Sequence, residues 1–197
     1  AVAQGCYPVG TTLQITACEN NLLKELDGRP ALQALADILS DLSPEEQELA
    51  QHSLFVGIVM DIMKESYDQG DFLIRNLIGA DPEEGHLLVA ANLHEGQTIQ
   101  FHLRDAKASA SDLDSVLDSF TQKREKEKYS GALLFSCLGR GQYLYGSPNH
   151  DSDRFRHFLG PVPLGGFFCN GEIGGVGGTT YLHGYTSSFG MFRSKNA

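Results

Sequence analysis

Two short segments in the last third of the chain carry most of the side chains that could do chemistry. The first is an apolar run that ends in Cys137 and is followed by Gly139, Arg140 and Gly141. The second ends in Cys169 and continues into an Asn-Gly-Glu turn. Each has the pattern of a core strand that leaves a sheet through a glycine-rich turn. We therefore predict a ligand-binding pocket formed by Cys137, Arg140, Cys169, Asn170 and Glu172.

Arg140 and Glu172 are the charged members of this set. A guanidinium is a planar fork that can hold a carboxylate through two hydrogen bonds. Arg140 could therefore bind the carboxylate of a ligand, or it could pair internally with Glu172. Glu172 follows an Asn-Gly dipeptide that readily forms a turn. It could serve that turn or an ion pair, or it could receive the amino group of an amino-acid-like ligand.

Cys137 has two interpretations of similar weight. It is either a small core side chain or a pocket-lining thiol that Arg140 makes reactive by favouring the thiolate. His157 and His183 are conceivable partners of such a nucleophile, although a cysteine-dependent enzyme is the least favoured of the functions considered. Near position 150, helix capping accounts for Asn149 or Asp151.

The spacing of the cysteines and histidines argues against a bound metal. Four cysteines occur without any CxxC or CxH pair, namely Cys6, Cys18, Cys137 and Cys169. The histidines form no H-x-x-x-H or H-E-x-x-H pair. The glycine-rich run at 171–178 lacks both the Gly-Lys-Ser/Thr and the G-x-G-x-x-G pattern of phosphate loops. We expect no metal and no cofactor, and a tight connection between strands at 171–178 whose tip could act as a lid.

Composition limits the class of protein and its partners. With 197 residues, 41% of them hydrophobic and 20% charged, the chain can form one or two ordinary cores. The net charge of −10 argues against nucleic acid, which requires a basic face. The basic cluster at 123–128 alternates with acids, as on a solvated helix face. No window resembles a membrane helix, so we expect no membrane insertion. Scattered cysteines favour a reduced compartment, namely the cytoplasm, or the plastid stroma in a plant.

The order of strands and helices predicts the fold class. Helices are expected to begin near Pro30, after Ser43 in a capping box, after Asp105 and after Asn149. The expected strands lie at 2–17 with a turn at 7–10, and at 54–60, 72–78, 87–91, 97–103, 131–137, 165–169 and 181–192. These strands come in neighbouring groups rather than in strict alternation with helices. We predict an α+β fold, with antiparallel or mixed β-sheets and helices packed on the outer faces.

The two motifs also carry a family resemblance. FSCLGRG (135–141) and GFFCNGEIG (166–174) resemble the C-terminal FIST domain, and the similarity extends back through FHLRDA (101–106) and DGRPAL (27–32). QGCYPVGTTLQIT (4–16) resembles the end of the N-terminal FIST domain. The resemblance implies three regions: the end of the N-terminal FIST domain at 1–26, the C-terminal FIST domain at 27–192 and a tail at 193–197. The first residue is not methionine, and we interpret the chain as a fragment.

The family is regarded as a sensory module of signalling proteins, and it includes stand-alone proteins and an F-box ubiquitin-ligase subunit. The resemblance therefore implies a non-catalytic, ligand-binding function in signal transduction, with amino-acid-like metabolites as candidate ligands. A protein-interaction module like the F-box relatives is the alternative. In character the chain is similar to the stand-alone cyanobacterial and plant proteins. A small-molecule ligand is the expected partner, with a protein as a second candidate, and the oligomeric state stays open.

Overall fold

The structure is a computed structural model that describes residues 1–123 and 129–194. The chain forms two compact units, one from Ala1–Gly5 with Asp105–Ala197 and one from Cys6–Arg104. We call them the four-stranded unit and the seven-stranded unit after their main sheets. The limits predicted from the resemblance, 1–26, 27–192 and 193–197, concern the family's domains and stay a prediction. The predicted solvated face at 124–128 and positions 195–197 lie outside the described residues.

The elements follow one another in the order β1, β2, β3, β4, α1, α2, β5, β6, β7, β8, α3, β9, α4, α5, β10, β11, β12 and β13. The strands are β1 (Val2–Ala3), β2 (Tyr7–Glu19), β3 (Leu22–Leu26), β4 (Arg29–Pro30), β5 (Leu54–Val59), β6 (Phe72–Asp81), β7 (His86–Val89), β8 (Thr98–Leu103), β9 (Gly131–Cys137), β10 (Leu164–Cys169), β11 (Glu172–Val176), β12 (Thr179–His183) and β13 (Ser187–Phe192). The helices are α1 (Ala31–Asp41), α2 (Pro44–Ser53), α3 (Ala106–Lys123), α4 (Gln142–Tyr145) and α5 (His150–Leu159).

The seven-stranded unit is an antiparallel sheet in the order β2-β8-β5-β6-β7-β3-β4. Strand β2 pairs with β3 as well as with β8, so the sheet closes on itself. Inward-facing side chains of the strands form its core, and Ala31, Ala34 and Leu35 of α1 pack against them. The predicted capping box is confirmed at the start of α2, where Ser43 and Glu46 exchange hydrogen bonds.

The four-stranded unit contains a mixed sheet in the order β1-β13-β9-β10, in which only β9 and β10 run parallel. Leu113 and Leu117 of α3 and Phe155 of α5 pack on one face of this sheet, against Phe189. The β11–β12 hairpin forms a separate two-stranded sheet. Together the two units confirm the predicted α+β class with antiparallel and mixed sheets.

Two expectations about the last strands need correction. Strand β10 was expected to be buried, but Phe167 and Phe168 are 63% and 55% exposed. The reason is its place at the edge of the sheet, with β9 as its neighbour on one side. The glycine-rich run at 171–178 is itself largely strand, because β11 and β12 form a hairpin with Gly177 and Gly178 at its tip.

In the described ranges 1–123 and 129–194, none of the helices combines the length and the apolar character needed to cross a membrane.

Candidate functional site

A buried ion pair between Arg140 and Asp151 lies in the four-stranded unit. Arg140 Nε is 2.8 Å from Asp151 Oδ2, and Nη2 is 3.2 Å from Oδ1, so both carboxylate oxygens are held. The Arg140 side chain is 0% exposed and that of Asp151 is 7% exposed. Burial alone would raise the pKa of Asp151, but hydrogen bonds and charge from Arg140 outweigh it and hold the pKa at about 2. Asp151 is therefore a carboxylate at neutral pH.

The turn after β9 delivers Arg140 to this position. The Arg140 N–H donates to the carbonyl of Cys137, and Gly141 follows with φ +76°, a conformation that favours glycine. Helix α5 begins at His150 and carries Asp151 in its first turn. The capping role predicted for Asn149 or Asp151 is wrong. Asn149 makes no side-chain cap, and Asp151 turns inward because it neutralises the buried guanidinium.

Three more side chains donate to or contact Asp151. Ser136 Oγ lies 3.2 Å from Oδ2, and Ser187 Oγ donates to the same oxygen. His150 Nδ1 lies 3.1 Å from Oδ1. A carboxylate only accepts, so Nδ1 carries the proton in this contact. With Arg140 included, Asp151 has no oxygen left for a ligand amine.

Tyr145 holds the histidine from one side. Its ring stacks on His150 with centroids 3.6 Å apart and planes inclined by 13°. The guanidinium carbon of Arg140 lies 5.6 Å from the centre of the same ring. Arg140, Asp151, His150 and Tyr145 therefore form one cluster in which each side chain restricts the next.

The first residues of the chain complete the surroundings of Arg140. The N–H groups of Gln4 and Gly5 donate to Asp112 Oδ2 over 2.7 and 3.2 Å, and Ser109 Oγ donates to the Gly5 carbonyl. A Cβ on Gly5 would lie 2.9 Å from Arg140 Nη1, and φ at Gly5 is +77°. Only glycine fits this approach without displacing its neighbours.

Glu172 lies in a neighbouring cluster and not in the ion pair. Its Oε2 accepts hydrogen bonds from the Thr186 N–H at 3.2 Å and Oγ1 at 2.9 Å, and Cys169 Sγ is 3.6 Å from Oε1. Burial raises the pKa of Glu172, against the opposing effects of Thr186 and of the more distant charge of Arg140. The predicted alternative of an Arg140–Glu172 pair is therefore wrong, because Asp151 occupies the guanidinium fork.

A cavity of about 650 Å³ opens beside the ion pair. Its floor is the face of β9 and β10 that carries Leu134, Ser136 and Phe168, and its wall is the start of α5 with His150. Gly166 allows the close pairing of β10 with β9 that forms this floor, since a Cβ there would lie 1.9 Å from the Leu134 carbonyl oxygen. The volume is typical of sites for small molecules, in the range of roughly 300–1,000 Å³.

Of the five predicted site residues, Arg140 borders this cavity, whereas Cys137, Cys169, Asn170 and Glu172 are not among the residues that line it. The pairing of β9 with β10 explains the cysteines. Ser136 is aligned with Phe168, and Cys137 with Cys169. Because side chains alternate along a strand, Ser136 and Phe168 face the cavity and the cysteines face the opposite side.

The conceivable histidine partners of a thiol nucleophile have other contacts. His183 Nε2 lies 3.1 Å from the Gly174 carbonyl oxygen, and the His157 ring meets Phe158 edge-on. In residues 1–123 and 129–194, no group of three or more His, Cys, Asp or Glu side chains is placed to hold a metal ion. The sequence interpretation missed Ser136, His150, Asp151 and Phe168. Their local signals were strand alternation before Cys137 and an acid in the first turn of α5.

Comparisons with known proteins give a consistent result. A family model described as the FIST C domain matches residues 31–175. An uncharacterized protein of Mycobacterium bovis is 42% identical over 191 residues, which are 97% of this chain and 49% of that protein. An uncharacterized protein of Mycobacterium tuberculosis is 41% identical over 191 residues, 97% of this chain and 50% of that protein.

A more distant relative is an F-box/LRR-repeat protein of Arabidopsis thaliana, 26% identical over 171 residues, 81% of this chain and 31% of that protein. The chain spans about half the length of the mycobacterial relatives. The expected similarity in character to stand-alone cyanobacterial and plant proteins is not shown by these matches.

Proposed function

Because this chain belongs to the FIST C domain family, we propose that it is a non-catalytic sensory module that binds a small polar ligand. The ligand occupies the cavity beside Arg140 and Asp151. The observation that carries the proposal is a cavity of about 650 Å³ built directly on a buried ion pair whose two members are joined by two hydrogen bonds. A buried charge pair costs desolvation energy, and here it supports a rigid polar wall facing open space.

The lining indicates the chemical character of the ligand. Leu134, Leu138 and Phe168 offer apolar surface, while His150 and Gln142 offer polar groups on the other side. A ligand with an apolar body and one or two polar groups matches both; an amino-acid-like metabolite fits only if its polar groups bind His150 or Gln142, because Asp151 occupies the Arg140 fork and Glu172 does not line the cavity. Arg140 acts by holding Asp151, which in turn holds His150, so His150 makes the direct contact.

Signal transmission follows from the position of the ligand. One side of the cavity is the edge strand β10 and the other is the start of α5. A ligand that contacts both β10 and α5 binds more tightly at one distance between them than at another. This difference in affinity shifts the protein toward the conformation with the preferred distance.

A thermal-shift screen of the full chain against amino acids, small organic acids and nucleotides tests the proposal. A ligand of the native state at a hundredfold excess over its dissociation constant adds about 2.7 kcal/mol of stability. We expect a hit whose shift is lost in Phe168→Ala and in His150→Gln. Leu133→Ala is the matched control, because Leu133 lies on the same strand as Leu134 but faces away from the cavity. Equal ligand-dependent thermal shifts in all three variants would mean that the ligand does not bind in this cavity.

A protein-interaction module is the second candidate, and exposed apolar side chains favour it. Phe167, Ile173 and Leu182 are 63%, 68% and 61% exposed, and one relative is an F-box protein by name. Capture of one defined protein by the full chain, lost in Ile173→Ala and retained in Phe168→Ala, would support it, because Ile173 is exposed and does not line the cavity. If the metabolite screen gives no hit and this capture is observed, the protein-interaction module replaces the ligand-binding module as the proposed function.

A further inference from the structure

Cys137 and Cys169 form a pair that the cavity does not use. They are aligned with each other at the last position of the parallel strands β9 and β10. Neighbouring strands lie about 4.8 Å apart, and a disulfide needs Cα atoms about 4.4–6.8 Å apart with side chains on the same side. In-register residues of parallel strands meet both conditions. We propose that Cys137 and Cys169 are a redox-active dithiol that a hydroperoxide oxidises to a disulfide.

The surroundings of the two sulfurs differ. Both cysteines are free and partly buried. Cys137 Sγ accepts a hydrogen bond from the Gly139 N–H over 3.4 Å. Cys169 Sγ lies 3.7 Å from the Ser136 carbonyl oxygen and 3.6 Å from Glu172 Oε1. The oxygen acceptors hold the thiol proton of Cys169, and burial raises the pKa of this thiol although the Gly171 N–H also reaches its sulfur. Cys137 is therefore the attacking sulfur, and Cys169 is the resolving one.

Glu172 supplies the base for the second step. Burial is the main cause that raises the pKa of the Cys169 thiol, so this sulfur needs help to lose its proton. Burial also raises the pKa of Glu172, which makes its carboxylate a stronger base than an exposed one. The contact between Cys169 Sγ and Glu172 Oε1 aligns the two groups for this transfer.

The chemistry balances with a hydroperoxide as the oxidant. The Cys137 thiolate attacks one peroxide oxygen, the O–O bond breaks, and the leaving oxygen takes up a proton to become water or an alcohol, leaving a sulfenic acid on Cys137. Cys169 then gives its proton to Glu172 and attacks the Cys137 sulfur. The S–O bond breaks, and the departing hydroxide takes the proton from Glu172 and leaves as water. Two thiols are oxidised by two electrons, and one peroxide is reduced.

Peroxide treatment of the full chain, followed by peptide mapping without reduction, tests the site. We expect a linked peptide pair that joins Cys137 to Cys169 and disappears on treatment with a dithiol reductant. In Cys169→Ser the reaction should stop at a Cys137 sulfenic acid that dimedone labels. Glu172→Gln should slow disulfide closure at least tenfold, because the thiol loses its base, without slowing the first step. Cys18→Ser is the matched control and should behave as the unaltered chain does.

A second measurement avoids oxidation and any folding defect of Glu172→Gln. Phenylarsine oxide binds two neighbouring thiols, so we expect one equivalent to bind the unaltered chain and none to bind Cys137→Ser or Cys169→Ser. If the folded chain binds no arsenical, or if dimedone labels Cys137 to the same extent with and without Cys169, the pair is not a dithiol site. Either result overturns the proposal and leaves ligand binding in the cavity unaffected, since the sulfurs lie on the other face of the sheet.

Discussion

Ser136 and Ser187 lie directly opposite each other on the antiparallel strands β9 and β13, and both hydroxyls donate to the same oxygen of Asp151. The strand register therefore creates a paired donor site for one carboxylate. A bidentate arginine completes it. The ion pair depends on strand alignment as well as on the two charged residues.

Loss of the guanidinium should cost more than loss of an exposed charge. Arg140→Met leaves Asp151 buried without its cation, and breaking a buried pair from one side costs about 3–5 kcal/mol. Denaturant unfolding followed by circular dichroism measures this change. Arg154→Met is the control, because the Arg154–Asp114 pair is about one-third exposed on both sides and should contribute at most about 1 kcal/mol. Equal effects in the two variants would contradict the central role of Arg140.

Lowering the pH should remove the contribution of Asp151 to the free energy of unfolding. Its pKa is lowered from 3.8 to about 2 in the folded chain, so its stabilisation is fully present above the unfolded value and is lost as pH falls through the folded one. The linkage relation makes this contribution about 2 kcal/mol. Stability measured from pH 5 to pH 2 should therefore fall.

The matched variant for this pH series is Asp151→Asn, which is less stable throughout and should lack that part of the slope. Glu172 and Asp112 act in the opposite direction, since burial raises the pKa of each, and they titrate in both proteins. Parallel curves for the two proteins would argue against the lowered pKa.

Gly5→Ala should disturb the surroundings of Arg140. The new Cβ would lie 2.6 Å from Ser109 Oγ and 2.9 Å from Arg140 Nη1, at φ +77°. A non-glycine residue in this conformation costs about 1–3 kcal/mol before crowding is counted. Gly146→Ala has φ +71° with nothing within 4 Å, so it measures the backbone cost alone. The melting temperature should fall further for Gly5→Ala than for Gly146→Ala. An equal fall would mean that Ser109 and Arg140 move away from the new Cβ at little energetic cost.

Gly166→Ala should disrupt the cavity floor. A Cβ there would overlap the Leu134 carbonyl and force β10 away from β9. The adjacent Gly165→Ala meets only the Leu133 side chain at 3.8 Å. Ligand-dependent thermal shifts should disappear in the first variant and persist in the second. If the thermal shifts persist in both variants, the ligand does not bind at this part of the sheet.

The sequence predicted what local patterns determine. The Ser43–Glu46 box and the strand that ends at Cys137 depend on nearby residues, and the structure confirms both. The exposure of β10 depends on which strand occupies the sheet edge, and a six-residue apolar pattern does not contain that information. For the same reason the sequence did not indicate that the partner of Arg140 is Asp151 and not Glu172. The Arg140 guanidinium pairs with the carboxylate that the packing of α5 brings next to it.

The pairing of β1 with β13 also determines how this chain can assemble. Val2 and Ala3 of β1 are aligned with Ser188 and Ser187 of β13, and residues 6–104 between the two parts of the four-stranded unit form a separate unit. During synthesis β1 must wait until β13 has been made before its neighbour exists. Contacts of such long sequence separation slow folding, so the Cys6–Arg104 segment is expected to become protease-resistant first, with the Arg140 cluster forming last.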